Sequence, residues 1–144
     1  IVAGTALVLV GALAAGTWFR ADSAQVGDQR TRLGLSDVEK LVRTEMLPNV
    51  PGKRITVTVV SYAPGEKSGV HHHPGSVVAY VLSGAIRSEN SATGPVKVYK
   101  AGESFFEPPG SRHLISENAS AKEPARLLAV HVADDGAQLT TFDK

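Results

Sequence analysis

The fold is decided by residues 64–84, which read PGEKSGVHHHPGSVVAYVLSG. The apolar run after the histidines is rich in β-branched residues and is bounded by glycine and proline, which is typical of a β-strand. Because alternate residues of a strand point to the same side, His71 and His73 would share one face where this strand begins, while His72 faces away. The stretch therefore predicts two imidazoles that converge on one side of a β-sheet.

A second stretch, residues 101–118, reads AGESFFEPPGSRHLISEN. Its tight turn PPG precedes His113, which lies at another junction between a loop and a strand. If the two stretches pair, His113 adds a third imidazole to those of His71 and His73. Three neutral imidazoles suit zinc, iron, copper, nickel or manganese, and they leave coordination positions open.

The remaining chain after Leu47 consists of short runs rich in β-branched and aromatic residues, such as ITVTVVSY, VKVYK and ARLLAVHV. Glycine, proline and asparagine divide these runs, and no helical period is visible among them. The preceding segment SDVEKLVRTEM, residues 36–46, fits either a capped helical turn or a strand, and we interpret it as a strand. The sequence predicts an all-β domain of short antiparallel strands, either a sandwich or a barrel.

The two stretches resemble the two sequence motifs of the cupin superfamily. The match includes eight of the ten motif residues, namely Gly65, His71, His73, Gly84, Gly102, Pro108, Gly110 and His113. Val77 stands where the first motif has a glutamate, and Glu117 stands where the second motif has an asparagine. The resemblance covers residues 41–132 and implies a jelly-roll-like, antiparallel cupin β-barrel.

The resemblance also implies a metal site. Its ligands here would be His71, His73 and His113, while Val77 removes the carboxylate that the family supplies and forms an apolar wall. A divalent ion would then keep its full charge on three neutral ligands and be held less tightly. Two interpretations remain open: a three-histidine site for iron, manganese, nickel, zinc or copper, or a barrel that has lost its metal and keeps hydrogen-bonded histidines.

Other polar residues near the motifs are weaker candidates for the metal site. Glu107, immediately before the PPG turn, is the candidate for the missing oxygen donor or for a catalytic general base, because its strand leads into His113. The alternative is a glutamate that faces solvent. We interpret His131, inside the apolar run LLAVHV, as a core or edge residue, and His72 as an exposed neighbour.

The N-terminal residues 1–19, IVAGTALVLVGALAAGTWF, carry no charge. As a helix they would be roughly 28 Å long, about the thickness of a bilayer core. They are therefore predicted to be a transmembrane anchor, with a signal segment as the alternative. Residues 20–35 are predicted to be a linker and residues 36–144 the barrel domain. Because proteins that resemble this one are usually exported, the domain is expected on the extracytoplasmic, periplasmic side of the membrane.

Composition excludes several kinds of function. Fifteen basic residues against 14 acidic ones give a net charge of +1, so no broad basic field is present to bind nucleic acid. The absence of cysteine excludes disulfides, thiolate zinc sites and thiol catalysis. A metal in this protein must be held by nitrogen and oxygen.

Two functions stay open on this reasoning. The first is a metal-dependent enzyme that binds a small organic acid or oxygenated compound, for which the resemblance implies dioxygenase, isomerase or decarboxylase chemistry. The second is a non-catalytic accessory or ligand-binding subunit docked in a larger membrane complex. Exposed strand edges also predict association with a partner or as a homodimer.

Overall fold

The computed structural model describes residues 29–144, which form two antiparallel β-sheets of five strands each. Ten strands make up the fold: β1 (Glu39–Met46), β2 (Lys53–Tyr62), β3 (His71–His72), β4 (Ser76–Ser83), β5 (Ala85–Asn90), β6 (Gly94–Lys100), β7 (Ser104–Glu107), β8 (Arg112–Asn118), β9 (Ala125–Asp134) and β10 (Thr141–Phe142). The first sheet has the order β1-β2-β9-β4-β7, and the second has the order β10-β3-β8-β5-β6. The predicted all-β class is confirmed.

The core lies between the two sheets, where alternate residues of the central strands are buried. In β4 the side chains of Val77 and Val81 are buried, while Val78 on the opposite face is exposed. Ile86 of β5 packs against them from the second sheet. Each such side chain contributes about 1.5–3 kcal/mol to folding when it is fully buried. Burial of this face fixes the register of β4, since a shift by one residue would expose it.

The segment that was ambiguous in sequence is a strand. β1 pairs antiparallel with β2 from Glu39 opposite Val60 to Met46 opposite Arg54. Before it, the short helix at residues 29–33 is held against the barrel, because the amide of Leu139 donates a hydrogen bond to the carbonyl of Leu33 at 2.8 Å. The strand interpretation is therefore confirmed for residues 39–46, whereas residues 36–38 form the turn that precedes the strand.

The prediction of a transmembrane helix in front of the barrel needs correction. Among residues 29–144 no helix is long and apolar enough to cross a membrane. The part of the helix that the structure describes, residues 29–33, is about 7.5 Å long, against the roughly 30 Å that a bilayer core requires. Residues 1–19, on which that prediction rested, lie outside the described residues. Over residues 29–144 the fold class is an all-β barrel, and the predicted transmembrane helix is not found in this part of the chain.

Strand pairing determines which side chains face each other between the sheets. In the second sheet, His71 of β3 lies directly opposite His113 of β8. In the first sheet, β4 lies between β7 and β9, so that Val77 has Glu107 on one side and His131 on the other. Polar side chains from both sheets therefore meet in the same part of the interior.

Candidate metal centre

Four buried side chains converge between the sheets: His71, His73, Glu107 and His113. One donor atom from each lies within 4.8 Å of the others, and the four residues are only 3–6 % exposed. The structure thus brings together the three histidines that the sequence singled out. It also places Glu107 among them, not at a surface facing solvent.

Hydrogen bonds to main-chain carbonyls orient His71 and His73. Nδ1 of His71 is 2.7 Å from the carbonyl oxygen of Gly69, and Nδ1 of His73 is 2.7 Å from that of Leu139. A carbonyl only accepts, so Nδ1–H is the donor in both rings and Nε2 carries the free lone pair. This is the arrangement by which proteins fix the tautomer of a histidine that binds metal.

His113 and Glu107 are held as a pair. Nε2 of His113 is 2.8 Å from the hydroxyl of Ser88, and its Nδ1 is 2.9 Å from Oε2 of Glu107. The same carboxylate oxygen is 3.8 Å from Nε2 of His73. Nδ1 is therefore the nitrogen by which His113 faces the cluster, and Glu107 links two of the three imidazoles.

Burial and charge set the protonation of the cluster. Burial lowers the pKa of His71 to about 4, against a smaller opposing effect of its bond to Gly69. Burial alone would raise the pKa of Glu107. The hydrogen bond from His113 and the charges of His113 and His73 together lower it by more than burial raises it, so the pKa lies below its usual value. A neutral imidazole and an ionised carboxylate are the forms that bind a metal ion.

Two glycines near the site, Gly110 of the second motif and Gly75, allow the loops to approach closely. Gly110, in the PPG turn, has a φ of 72°, and its amide donates a 2.7 Å hydrogen bond to the carbonyl of His73. A Cβ at Gly75 would lie 2.1 Å from the carbonyl oxygen of Val132, so no larger residue fits without a shift of the backbone. These loops hold the HxH segment, residues 71–73, against both the PPG turn and β9.

A family model described as a cupin domain matches residues 58–131, slightly more than half of the chain. The chain belongs to the cupin family. No curated protein matches the sequence of this cupin. The resemblance seen in the motifs is confirmed by the family match.

Solved structures share the fold of this cupin. An uncharacterized conserved protein with a double-stranded β-helix domain from Klebsiella pneumoniae has 24 % identity, covering 83 % of this chain and 94 % of that one, with a TM-score of 0.57. DMSP lyase DddQ from Ruegeria pomeroyi has 19 % identity, 61 % and 42 % coverage, and a TM-score of 0.53. An oxalate oxidase in complex with the substrate analogue glycolate has 22 % identity, 61 % and 45 % coverage, and a TM-score of 0.52. The chain spans less than half of the lyase and of the oxidase, and likeness at these identities shows the fold alone.

The cupin motif departs from its usual form at Val77, and the structure shows what lies next to this position. Val77 and Glu107 are Cα partners in the β4–β7 ladder. Side chains of such partners point to the same face with Cβ atoms about 4.5–5.5 Å apart. Glu107 therefore brings a carboxylate to the cluster from one strand away. Sequence spacing could not show this, because it does not reveal which strand pairs with β4.

The other two histidines of this cupin differ in their positions. His72 is partly exposed and its Nδ1 is 3.5 Å from a carboxylate oxygen of Asp143, in agreement with its interpretation as a neighbour that faces away. His131 is buried, as expected of a core residue. The sequence did not show that His131 lines the same pocket as the cluster, with its ring centre 5.1 Å from that of His73.

The pocket around the cluster has a cavity volume of about 40 Å³, and its empty space is about 440 Å³ when the open solvent at its mouth is included. Apolar side chains form much of its wall, among them Val60, Val77, Ala79, Phe105, Leu127 and Phe142. The ring centres of His73 and His113 each lie 5.0 Å from that of His71. A ligand that fits beside rings so close together is small.

The buried histidines predict that the metal-free protein loses stability in acid. Burial lowers the pKa of His131 to about 3 and that of His71 to about 4, whereas both are near 6.5 when the chain is unfolded. The unfolded chain therefore binds more protons below about pH 6.5, and stability falls as the pH drops toward 4. The lowered pKa of Glu107 acts in the same direction.

We expect the free energy of unfolding to fall by about 3 kcal/mol or more between pH 7 and pH 4. Urea unfolding of chelator-treated protein at pH 7, 5 and 4 measures this change. His131→Leu should show a smaller loss than the wild type. Equal stability at all three pH values would mean that the buried histidines bind protons as readily in the folded protein as in the unfolded chain, which would contradict the lowered pKa values.

Proposed function

We propose that this cupin binds one divalent transition-metal ion through His71, His73, His113 and Glu107, and that the bound ion activates a small oxygen-bearing organic molecule in the adjoining pocket. The observation that carries the proposal is the convergence of four buried donor atoms within 4.8 Å of one another. Three imidazole nitrogens and one carboxylate oxygen suit iron, manganese, nickel, zinc or copper.

The residues fit such an ion in their hydrogen bonding as well as in their spacing. The carbonyls of Gly69 and Leu139 accept the Nδ1 protons of His71 and His73, so that Nε2 of each ring is free to bind. The bond between Ser88 and His113 leaves the Nδ1 nitrogen of His113 on the cluster side. These partners hold the ligands in place before any ion binds, which lowers the entropic cost of binding.

Glu107 supplies the negative charge that three histidines lack. With Glu107 ionised, the site reduces the net charge of a divalent ion to +1 and compensates for Val77. In this proposal Glu107 is a metal ligand, which is the first of the two functions that its position in sequence suggested. Its second predicted function, as general base, would require a carboxylate oxygen that is free of the metal.

A metal in this site would act as a Lewis acid toward an oxygen atom of the ligand. The chain itself contributes exclusion of water through apolar walls such as Val77 and Phe105, and orientation of the ligand within a narrow space. The oxalate oxidase of similar fold is seen in complex with a small carboxylate, glycolate, whose oxygen atoms are of the kind that a metal in this site would bind. We therefore propose small carboxylates as the ligand class.

The proposal predicts one metal ion per chain. Chelator-treated protein is titrated with Zn²⁺, Mn²⁺, Ni²⁺ and Fe²⁺ at pH 7, and the bound metal is measured by elemental analysis after desalting. X-ray absorption of the loaded protein should show imidazole ligands. A folded protein that takes up none of these ions would contradict the proposal.

The same loaded protein separates catalysis from binding alone. Turnover of small carboxylates, followed by NMR, would assign the protein to the enzymes. Carboxylate binding without turnover would support the alternative of a non-catalytic ligand-binding subunit.

A further inference from the structure

His131 is a buried polar residue that the proposed metal site does not use. Its side chain lines the pocket and is only 2 % exposed. Neither Nδ1 nor Nε2 of its ring has a hydrogen-bond partner among the described residues. A buried polar group without a partner is costly, so such groups in native proteins require an explanation.

The position of His131 places it beside the metal cluster. His131 and Glu107 are the two cross-strand partners of Val77, one on each side, so all three side chains point to the same interior face. The ring of His131 is 5.1 Å from that of His73, in an edge-to-face arrangement. His131 is not among the four residues whose donor atoms lie together, and it therefore adjoins the site without belonging to the ligand set.

Other polar side chains described along the pocket, outside the cluster, are already paired. The partners are Ser36 with Glu39, Tyr62 with Ser68 and Ser116, and Thr140 with His73. His131 is thus the polar side chain that remains available to a bound molecule. Burial lowers its pKa to about 3, so the ring is neutral near pH 7 and offers one N–H donor and one acceptor nitrogen.

We propose that His131 recognises the ligand of this site by donating a hydrogen bond from its ring to an oxygen of a small carboxylate. This inference rests on the proposed metal site. A carboxylate has two oxygens, so that one faces the metal while the other accepts from His131. The neutral ring makes this bond without requiring a second charge in the apolar pocket.

The decisive variant is His131→Leu, which removes both nitrogens at similar volume. We expect its metal affinity to stay within about twofold of the wild type, since His131 is not a ligand. The affinity of the metal-loaded protein for glycolate, oxalate and formate should fall by about tenfold or more, because one buried hydrogen bond is lost. Isothermal titration calorimetry measures both affinities, and His131→Gln, which keeps an N–H donor, should recover part of the loss.

Thr58→Val is the matched control. Oγ1 of Thr58 is also buried without a partner, but Thr58 does not line the pocket. We expect both His131→Leu and Thr58→Val to raise the melting temperature of the ligand-free, metal-loaded protein by about 4 °C, because each removes an unpaired polar group. Only His131→Leu should weaken glycolate binding.

The outcomes separate this inference from the proposed function. If the wild type takes up no metal, the proposed function fails, and the inference fails with it. If the loaded wild type binds none of the three carboxylates, the ligand class is wrong. If it binds glycolate and His131→Leu binds equally well, with a lower melting temperature, His131 is a packing residue and the inference is overturned.

Discussion

Replacing His113 by alanine is expected to lower metal affinity by at least about 100-fold while the barrel stays folded. His113 provides one imidazole to the cluster, and in the metal-free protein its Nδ1 lies 2.9 Å from Oε2 of Glu107. Loss of a residue that merely supports a ligand typically costs about 10- to 100-fold in affinity, so loss of the ligand itself costs at least as much. Competition with a chromophoric chelator at pH 7 measures the change, and circular dichroism checks the fold.

His72→Ala is the control for this variant, because His72 belongs to the same three-histidine segment but faces away from the site. Its Nδ1 is 3.5 Å from a carboxylate oxygen of Asp143, near the surface. We expect its metal affinity to stay within about twofold of the wild type. Unchanged metal content in His113→Ala, or an equal loss in both variants, would show that the metal is not bound at the cluster.

Much of the fold could be predicted because it depends on residues close together in the sequence. The β-branched residues of the run SVVAYVLS and the glycines at its ends identify β4 as a strand, but both of its faces are apolar, so the pattern does not tell which face is buried. The HxH spacing places His71 and His73 near each other without any knowledge of the rest of the chain. The turn before His113 is equally local, since Gly110 adopts a φ of 72° in it.

The composition of the site was harder to predict because it depends on which strands are adjacent. Composition identifies β7 and β9 as strands, but it tells neither which face of each is buried nor that both strands flank β4. Glu107 and His131 lie far from Val77 along the chain and meet it only through these pairings. The sequence therefore indicated Glu107 as a candidate oxygen donor but not that it lies beside Val77. It did not indicate that His131 lines the pocket.

The segment at residues 36–46 was ambiguous for a related reason. β1 is an edge strand, and the outer part of its surface is exposed, so its apolar pattern is weak. What makes it a strand is its long ladder with β2. Tertiary pairing decides the conformation of such a segment, and local propensity does not.

Removing the charge of Glu107 tests whether it replaces the missing glutamate of the cupin motif. Glu107→Gln keeps the shape of the side chain but not its charge, and we expect metal affinity to fall by about 10- to 100-fold or more. Glu103→Gln is the matched control, because Glu103 is an exposed carboxylate just before β7 whose partner is the amide of Lys100. Chelator competition at pH 7 compares the three proteins, and equal affinity in all of them would show that Glu107 is not a ligand.

The exchange of Val77 and Glu107 makes the test more specific, because the two residues are partners in one ladder and differ in position by a single strand. Glu107→Val alone should lose affinity as Glu107→Gln does, and adding Val77→Glu should restore it to within about tenfold of the wild type, since the carboxylate returns to the same face. Val77→Glu alone should lower the stability of the metal-free protein, because two buried carboxylates would then repel each other. A double variant that folds and binds metal no better than Glu107→Val would show that a carboxylate at position 77 does not reach the ion, and the two positions would then not be interchangeable.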